Sequence, residues 1–407
     1  MSALNVANAQ WTLQNPFVTE ATLSSVYFTD VNTGYAVGEY GTIIKTANGG
    51  TTWTALSSGT TWDLYSVYFT DANTGYAVGG ISLRTTDGGT NWVLQTVGPG
   101  YSVHFPDTDT GYIVGGISSS MGGLTYCTIF KTTNGGENWE YQGPEPDIIG
   151  SLNSVHFPKT HTGYAVGRRH QGSFPLVESQ SFIIKTINSG ESWIECHTFP
   201  WESVWLNSIY FINVDTGYIA DSGILKTTDG GITWVTQNSN STRKLSSVHF
   251  PSAETGYVVG GDDYDVSIIL KTTDGGANWV TQDSGTYANL LSVHFPTVDT
   301  GYAVGVGGTI LKTVNGGGFP VGSNAISSKS STLKIYPNPA SECITIETSA
   351  ILTPSTIAIL NLHGQQIIIR QITEHKTQIN ISELPSGVYF VRLKNEKTVS
   401  FWKFIKQ

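Results

Sequence analysis

The chain has 407 residues, 39% of them hydrophobic and only 13% charged, so it can bury a large core and is too long for one ordinary domain. A formal net charge of −10 and a pI near 5.3 argue against a nucleic-acid partner or an anionic membrane surface, since both require a basic face. No run of 18 apolar residues occurs, so no transmembrane segment is expected, and 46 glycines with abundant Thr, Ser, Tyr and Trp favour an all-β fold.

Residues 1–9, MSALNVANA, end in an A-x-A-like step but lack a basic start and a full apolar stretch. They read as the tail of a signal peptide, with an ordinary N-terminus as the competing reading. From residue 11 to 317 one pattern recurs seven times: roughly L-x-S-V-x-F, then T-G-Y-x-V-G, then K-T-x-D/N-G-G-x-x-W. Its T-G-Y glycines are Gly34, Gly75, Gly111, Gly163, Gly217, Gly256 and Gly301, a period of 36 to 54 residues that suits four-stranded propeller blades. Each copy resolves into four short strands, A to D, which in the first copy are Leu23–Phe28, Gly34–Gly38, Thr42–Thr46 and Trp53–Leu56. Turn residues such as Asp30 and Asn32, and Asn48-Gly49-Gly50, separate them.

In six copies a tryptophan follows the basic residue of K/R-T by eight positions: Trp53, Trp92, Trp139, Trp193, Trp234 and Trp279. The same count from Lys312 reaches Pro320. Trp11-Thr-Leu-Gln14, at the other end of the chain, reads like Trp92-Val-Leu-Gln95 and Trp234-Val-Thr-Gln237. The N-terminal segment is therefore expected to supply the outer strand of the last blade and close a seven-bladed β-propeller over residues 10–318.

The C–D segments, such as Thr85-Thr-Asp-Gly-Gly-Thr-Asn-Trp92, resemble the Asp-box of bacterial neuraminidase repeats, with Asn in place of Asp at Asn48, Asn134 and Asn188. An Asp or Asn side chain there can accept backbone N–H groups across the turn while the Trp packs between strands, which makes the motif a folding device. Such repeats occur in sialidases, xyloglucanases and sortilin-type receptors. The T-G-Y-A-V-G and K-T-x-D-G-G-x-x-W combination is most similar to the photosystem II stability and assembly factor. That resemblance implies a propeller that binds protein, and does not by itself carry a function over.

Residues 319–331 form a Gly/Ser/Pro linker, and a β unit of about 75 residues follows over 332–407. Apolar alternation in Leu333–Pro339, Cys343–Glu347, Ile357–Leu362, Gln366–Arg370, Thr377–Ile381, Gly387–Leu393 and Phe401–Ile405 suits a small antiparallel β-sandwich. Its Y-P-N-P, N-L-H-G-Q-Q-I, L-P-S-G-V-Y-F-V-R-L and terminal K-F-I-K together look like the type IX secretion system C-terminal sorting domain of Bacteroidetes. The resemblance implies export across the outer membrane through the type IX machinery.

In an antiparallel blade the A–B and C–D turns share one end, and the B–C and D-to-next-A connections share the other. The copies differ most at the second end, through B–C insertions at Gly116–Thr128, Arg168–Ser181 and Gly261–Ser267 and D–A connections at Glu140–Ser151 and Glu195–Asn207. Function usually resides in such variable segments. Trp201 and Trp205, flanking Glu202, form a candidate stacking platform for sugar rings or an aromatic anchor for a protein partner, against the competing reading that they plug gaps, and Trp62 is a further unrepeated tryptophan and binding candidate on this face. Arg168, Arg169 and His170 are candidates for gripping a carboxylate or sulfate, against a solvated loop tip. Asp262, Asp263, Tyr264 and Asp265 crowd three carboxylates together but lack calcium-loop spacing, so no metal and no cofactor is expected.

His104, His156, His249 and His294 share one blade position with Tyr27, Tyr68 and Tyr210, and a metal site does not repeat in every blade. The serines Ser25, Ser66, Ser102, Ser154, Ser208, Ser247 and Ser292 recur likewise and sit in no nucleophile motif. Cys127, Cys196 and Cys343 are scattered and fit neither a disulfide framework nor a zinc site. The propeller offers only Arg84, Arg168, Arg169 and Arg243 to a sialidase mechanism, and no catalytic carboxylate pair stands out among Glu39, Asp63, Glu202 and Asp262. The expectation is a secreted or surface-attached, monomeric, non-catalytic propeller that binds a protein or glycan through its loop-rich face. The alternative is a secreted glycoside hydrolase using carboxylates on that face.

Overall fold

The computed structural model describes the chain apart from residues 1–10, 15–17, 119–124, 144–147, 172–177, 200–204, 240, 242, 263–265, 319–332, 349–354, 362–365, 373 and 395–398. The expected signal-peptide tail and linker lie outside the described residues. Two compact units are present, one spanning Trp11–Val314 and a second that takes in Asn315–Gln407.

The first unit contains seven four-stranded antiparallel sheets in sequence order. The first blade is Leu23–Phe28, Gly34–Gly38, Ile43–Thr46 and Thr54–Leu56, and the last consists of Leu290–His294, Gly301–Gly305, Ile310–Thr313 and the N-terminal strand Thr12–Gln14. Thr12 pairs with Lys312 and Gln14 with Ile310, so the chain start closes the ring as its sequence indicates. Trp11 is fully buried, lies edge-on to Phe295 at 5.7 Å and 89°, and donates its indole N–H to Gln282 Oε1 at 2.8 Å. Trp53 meets Phe28 in the same way at 6.0 Å and 89°, so Trp11 fills the station that the seventh repeat leaves empty.

Repetition in the sequence reflects contacts made between blades. Phe28 on strand A of the first blade stacks on Tyr302 of the seventh at 3.7 Å, Phe69 stacks on Tyr35 at 3.9 Å, and the series continues around the ring. The T-G-Y glycine lies beneath that phenylalanine: a Cβ on Gly34 would come within 2.4 Å of the Phe28 ring. T-G-Y tyrosines and K-T lysines then reach across to the following blade, in most cases to its Asp-box, while Tyr164 bonds the Val214 carbonyl of the neighbouring A–B turn. Tyr35 Oη and Lys45 Nζ both donate to the Gly88 carbonyl, at 2.8 and 2.7 Å, and Tyr302 Oη and Lys312 Nζ do the same to Gly49, at 2.9 and 2.6 Å.

The Asp-box is a turn clamp. Asn48 Oδ1 accepts the Thr52 N–H at 2.9 Å, Asp87 that of Asn91 at 2.9 Å and Asp274 that of Asn278 at 2.9 Å. The preceding threonine, buried, accepts the second glycine's N–H, as Thr46 does from Gly50 at 2.9 Å. These bonds satisfy amide groups that the tight turn turns inward.

Two closed rings surround the axis. Each strand-A serine accepts the backbone N–H of the next blade's strand A: Ser25 from Val67, Ser66 from Val103, Ser102 from Val155, Ser154 from Ile209, Ser208 from Val248, Ser247 from Val293 and Ser292 from Val26, all at 3.2–3.3 Å. The aromatic series Tyr27, Tyr68, His104, His156, Tyr210, His249, His294 and back to Tyr27 makes ring contacts of 4.5–5.2 Å between centroids at every step. Both sets are architecture.

The second unit has a three-stranded sheet (Leu333–Tyr336, Cys343–Thr348, Lys376–Asn380) and a four-stranded sheet (Gln366–Ile372, Ser355–Leu360, Gly387–Lys394, Val399–Lys406). One apolar cluster, including Ile344, Ile346, Ile357, Ile359, Val391 and Phe404, is shared between them, which makes the unit the expected sandwich.

Candidate functional site

The face carrying the B–C connections is more regular than its sequence suggests. The insertions read as loops at Gly116–Thr128, Arg168–Ser181 and Gly261–Ser267 are largely continuations of the sheet. Gly116 pairs with Cys127, Arg168 with Ser181, Gln171 with Glu178, and Asp262 with Val266. An extended hairpin pairs the N–H and C=O groups of an insertion, which a loop would leave to water. Arg168 and Arg169 therefore sit on a strand, Thr162–Gln171, and not at a loop tip. His170 belongs to that strand, but its side chain lies outside the described residues.

The two arginines have different tasks. Arg169 spreads its fork over Glu195, with Nη1 to Oε2 at 2.9 Å and Nη2 to Oε1 at 3.2 Å, and gives its Nε–H to Gln180 Oε1 at 2.8 Å. Its guanidinium is thus engaged within its own sheet. Arg168 lies over the Trp205 ring, 3.8 Å from its centroid, with Lys244 Nζ 5.7 Å from the same ring. Trp205 is 53% exposed, so the indole is held by cations and still faces solvent.

Trp205 is anchored by a residue that sequence reasoning missed. Its backbone N–H donates to Asp221 Oδ1 at 2.6 Å, and Asp221 is buried. Burial pushes the Asp221 carboxyl up from its ordinary value, opposed by the Trp205 and Ser222 hydrogen bonds and by the charge of Lys244. The signal was available, because Asp221 stands where the other repeats place the last glycine of T-G-Y-x-V-G. Trp201 and Glu202 lie outside the described residues, as do Asp263, Tyr264 and Asp265. Asp262 is paired with Arg243 at 2.7 Å. Among the described residues no group of three or more His, Cys, Asp or Glu could hold a metal ion.

Trp62 belongs to a second feature of this face, an open cleft of about 770 Å³ at the first blade. The turn Glu39–Gly41, strand Ile43–Thr46 and the connection leading to Trp62 line it, together with Val18 and Thr19. Trp62 is 63% exposed and Tyr40 is 72% exposed. Two carboxylates hold the turn from behind: Glu39 Oε2 accepts the Thr22 N–H at 3.1 Å and Asp63 Oδ1 accepts the Tyr40 N–H at 2.9 Å.

Burial also shifts titratable groups elsewhere in the propeller. Burial lowers the axial His104 and His249 to about 4, leaving them neutral near pH 7, and raises the thiols of Cys127 and Cys196 to about 12 and about 11.

The family model described as photosynthesis system II assembly factor YCF48 matches residues 3–174 and 186–284, and that of the secretion system C-terminal sorting domain matches residues 334–407. Among solved structures, YCF48 bound to D1 peptide is similar at 22% identity and a TM-score of 0.58, covering 76% of this chain and 96% of that one. YCF48 from Cyanidioschyzon merolae follows at 21% and 0.56, over 74% of this chain and 98% of that one. The Niastella koreensis GH74 enzyme is similar at 14% and 0.54, over 96% of this chain and 74% of that one. At these identities the likeness shows the propeller fold alone. No curated protein matches the chain. The C-terminal match marks the protein for type IX export to the cell surface or the medium, and no described helix is long and apolar enough to cross a membrane.

Proposed function

Because the chain belongs to the photosynthesis system II assembly factor YCF48 family and ends in a sorting domain for export, we propose that it is a non-catalytic, monomeric binding propeller. Residues 10–318 take a protein or glycan ligand on the B–C face, and residues 332–407 address the chain to the type IX machinery. One observation carries this reading. The face presents Trp62, Tyr40 and the Arg168–Trp205 pair to solvent, while four of its described carboxylates, Glu39, Asp63, Asp221 and Asp262, are each committed to an internal hydrogen bond or ion pair. A glycosidase needs two carboxyl groups free to act on the substrate. The peptide held by a solved YCF48 supports a protein ligand. Export and net acidity set this chain apart from photosystem assembly.

One feature favours the hydrolase alternative. Asp221 is a buried carboxyl with a raised pKa beside an exposed tryptophan, the environment of a proton donor. Incubating the purified full chain with plant and microbial polysaccharides separates the two. Retention without new reducing ends is expected. Release of reducing sugar that disappears in Asp221→Asn would overturn the non-catalytic reading.

A further inference from the structure

The cleft beside Trp62 carries chemistry that the fold does not require. Its turn, Glu39–Gly41, recurs in the seventh blade as Val306–Gly308. Both turns place their middle residue in the left-handed region, Tyr40 at φ 56°, ψ 31° and Gly307 at φ 63°, ψ 34°. Glycine adopts that conformation freely and a tyrosine is strained in it. Burial does not compensate, because the Tyr40 side chain is 72% exposed. A strained, outward-facing aromatic residue that adds nothing to the core points to a contact outside the chain.

Trp62 is set up in the same way. One part of its ring lies against Gly80, where a Cβ would come within 2.7 Å, while the side chain as a whole is 63% exposed. The connection that carries it is held by its own bonds, Trp62 N–H to Thr60 Oγ1 at 3.0 Å and Ser58 Oγ–H to the Thr60 carbonyl at 3.2 Å. Both aromatic residues border the 770 Å³ cleft, whose described lining residues include Thr19, Thr42, Ser57 and Thr61 and none with a charge.

We infer that this cleft is a subsite for a neutral oligosaccharide, an inference that rests on the binding role proposed above. A neutral sugar offers an apolar C–H face to an indole or phenol ring and a rim of hydroxyls to Ser and Thr side chains. Anionic sugars, phosphate groups and acidic peptides find no counter-charge in the lining. Ring and turn are fixed before the ligand arrives, which reduces the ordering cost of binding.

Affinity electrophoresis of the full chain through gels containing mixed-linkage β-glucan, galactomannan or soluble starch tests this, with polygalacturonate as the anionic control. At least one neutral polymer should retard the protein. Trp62→Ala and Tyr40→Gly should each weaken that retardation at least tenfold. Tyr40→Gly restores the residue found at Gly307, so its melting temperature should equal or exceed that of the parent, which separates lost binding from lost folding. Absence of retardation in all three neutral gels, equal retardation by polygalacturonate, or displacement by an uncharged peptide digest would overturn the inference. Retardation that survives both substitutions but is lost in Trp205→Ala would overturn this subsite and leave the broader binding role standing.

Discussion

Acidification from pH 7 to pH 5 should weaken the propeller through its axial histidines. Burial in the aromatic ring lowers His104 and His249 from an ordinary 6.5 to about 4, because the charged imidazole loses its hydration there. A group whose folded pKa is depressed contributes its full stability above the unfolded value and loses it as pH falls through the window from 6.5 toward 4. At pH 5 the unfolded imidazole is mostly protonated and the folded one mostly neutral, which amounts to about 2 kcal/mol per residue and about 4 kcal/mol for the two. These are upper figures, since both side chains are only partly buried and keep an accessible edge. His156 and His294 are lowered in the same direction, first by burial and then by neighbouring histidines, and add to the effect. Asp-box carboxylates such as Asp229, held at about 2 by Thr233 and Thr227, titrate below this window. The raised Asp221 acts in the opposite sense and is common to parent and variant. Urea unfolding at pH 7, 6 and 5 measures the loss. The control is His104→Tyr combined with His249→Tyr, which places at both positions the residue type of Tyr68 and Tyr210, whose hydroxyls donate to the Phe105 and Phe250 carbonyls at 2.8 and 3.0 Å. The double variant should fold and lose about half of the pH dependence, the remainder coming from His156 and His294; a slope equal to that of the parent would refute the reasoning.

Three further outcomes are expected. Thr227→Val keeps the shape of a buried Asp-box threonine but removes the acceptor of the Gly231 N–H, at 3.0 Å, and should cost about 1–3 kcal/mol in denaturant unfolding. Trp11→Ala empties a fully buried site between Tyr257 and Phe295 and should lower stability by about 3–5 kcal/mol, with early exposure of strand Ile310–Thr313 in hydrogen exchange. Deletion of residues 332–407 should leave the propeller in the periplasm of a type IX-competent host, as followed by fractionation and immunoblot; undiminished secretion would contradict the role of the sorting domain.

Much of the fold was legible because each repeat encodes the same short-range solution. Phe, Gly-Tyr and Lys-Thr recur at fixed places because they make closely similar contacts from blade to blade, such as Tyr35 and Lys45 on Gly88. The histidine and serine sets were recognisable as architecture from their alignment alone, and the two closed rings give the reason. The candidate site was legible only as a face and as residue types. Arg168 and Trp205 stood out separately, and nothing in their spacing announces that the guanidinium lies on the indole. Arg169 has the sequence context of an available cation, yet its fork is spent on Glu195. Asp221 escapes notice in the sequence, although it breaks a repeat that elsewhere ends in glycine.

The sequence by itself determined the all-β class, the four-strand blade, the order of the blades and closure by Trp11–Gln14, since these depend on turn residues, alternation and packing that every copy repeats. Only the tertiary structure decided which unrepeated side chains meet. Some partners share a blade, as Arg169 and Glu195 do, and others, as Arg168 and Trp205, do not, and contact depends on how far each hairpin extends beyond the common blade. The same insertion could have ended as a loose loop or, as it does at Arg168, as a strand that holds a guanidinium over an indole from the adjoining blade.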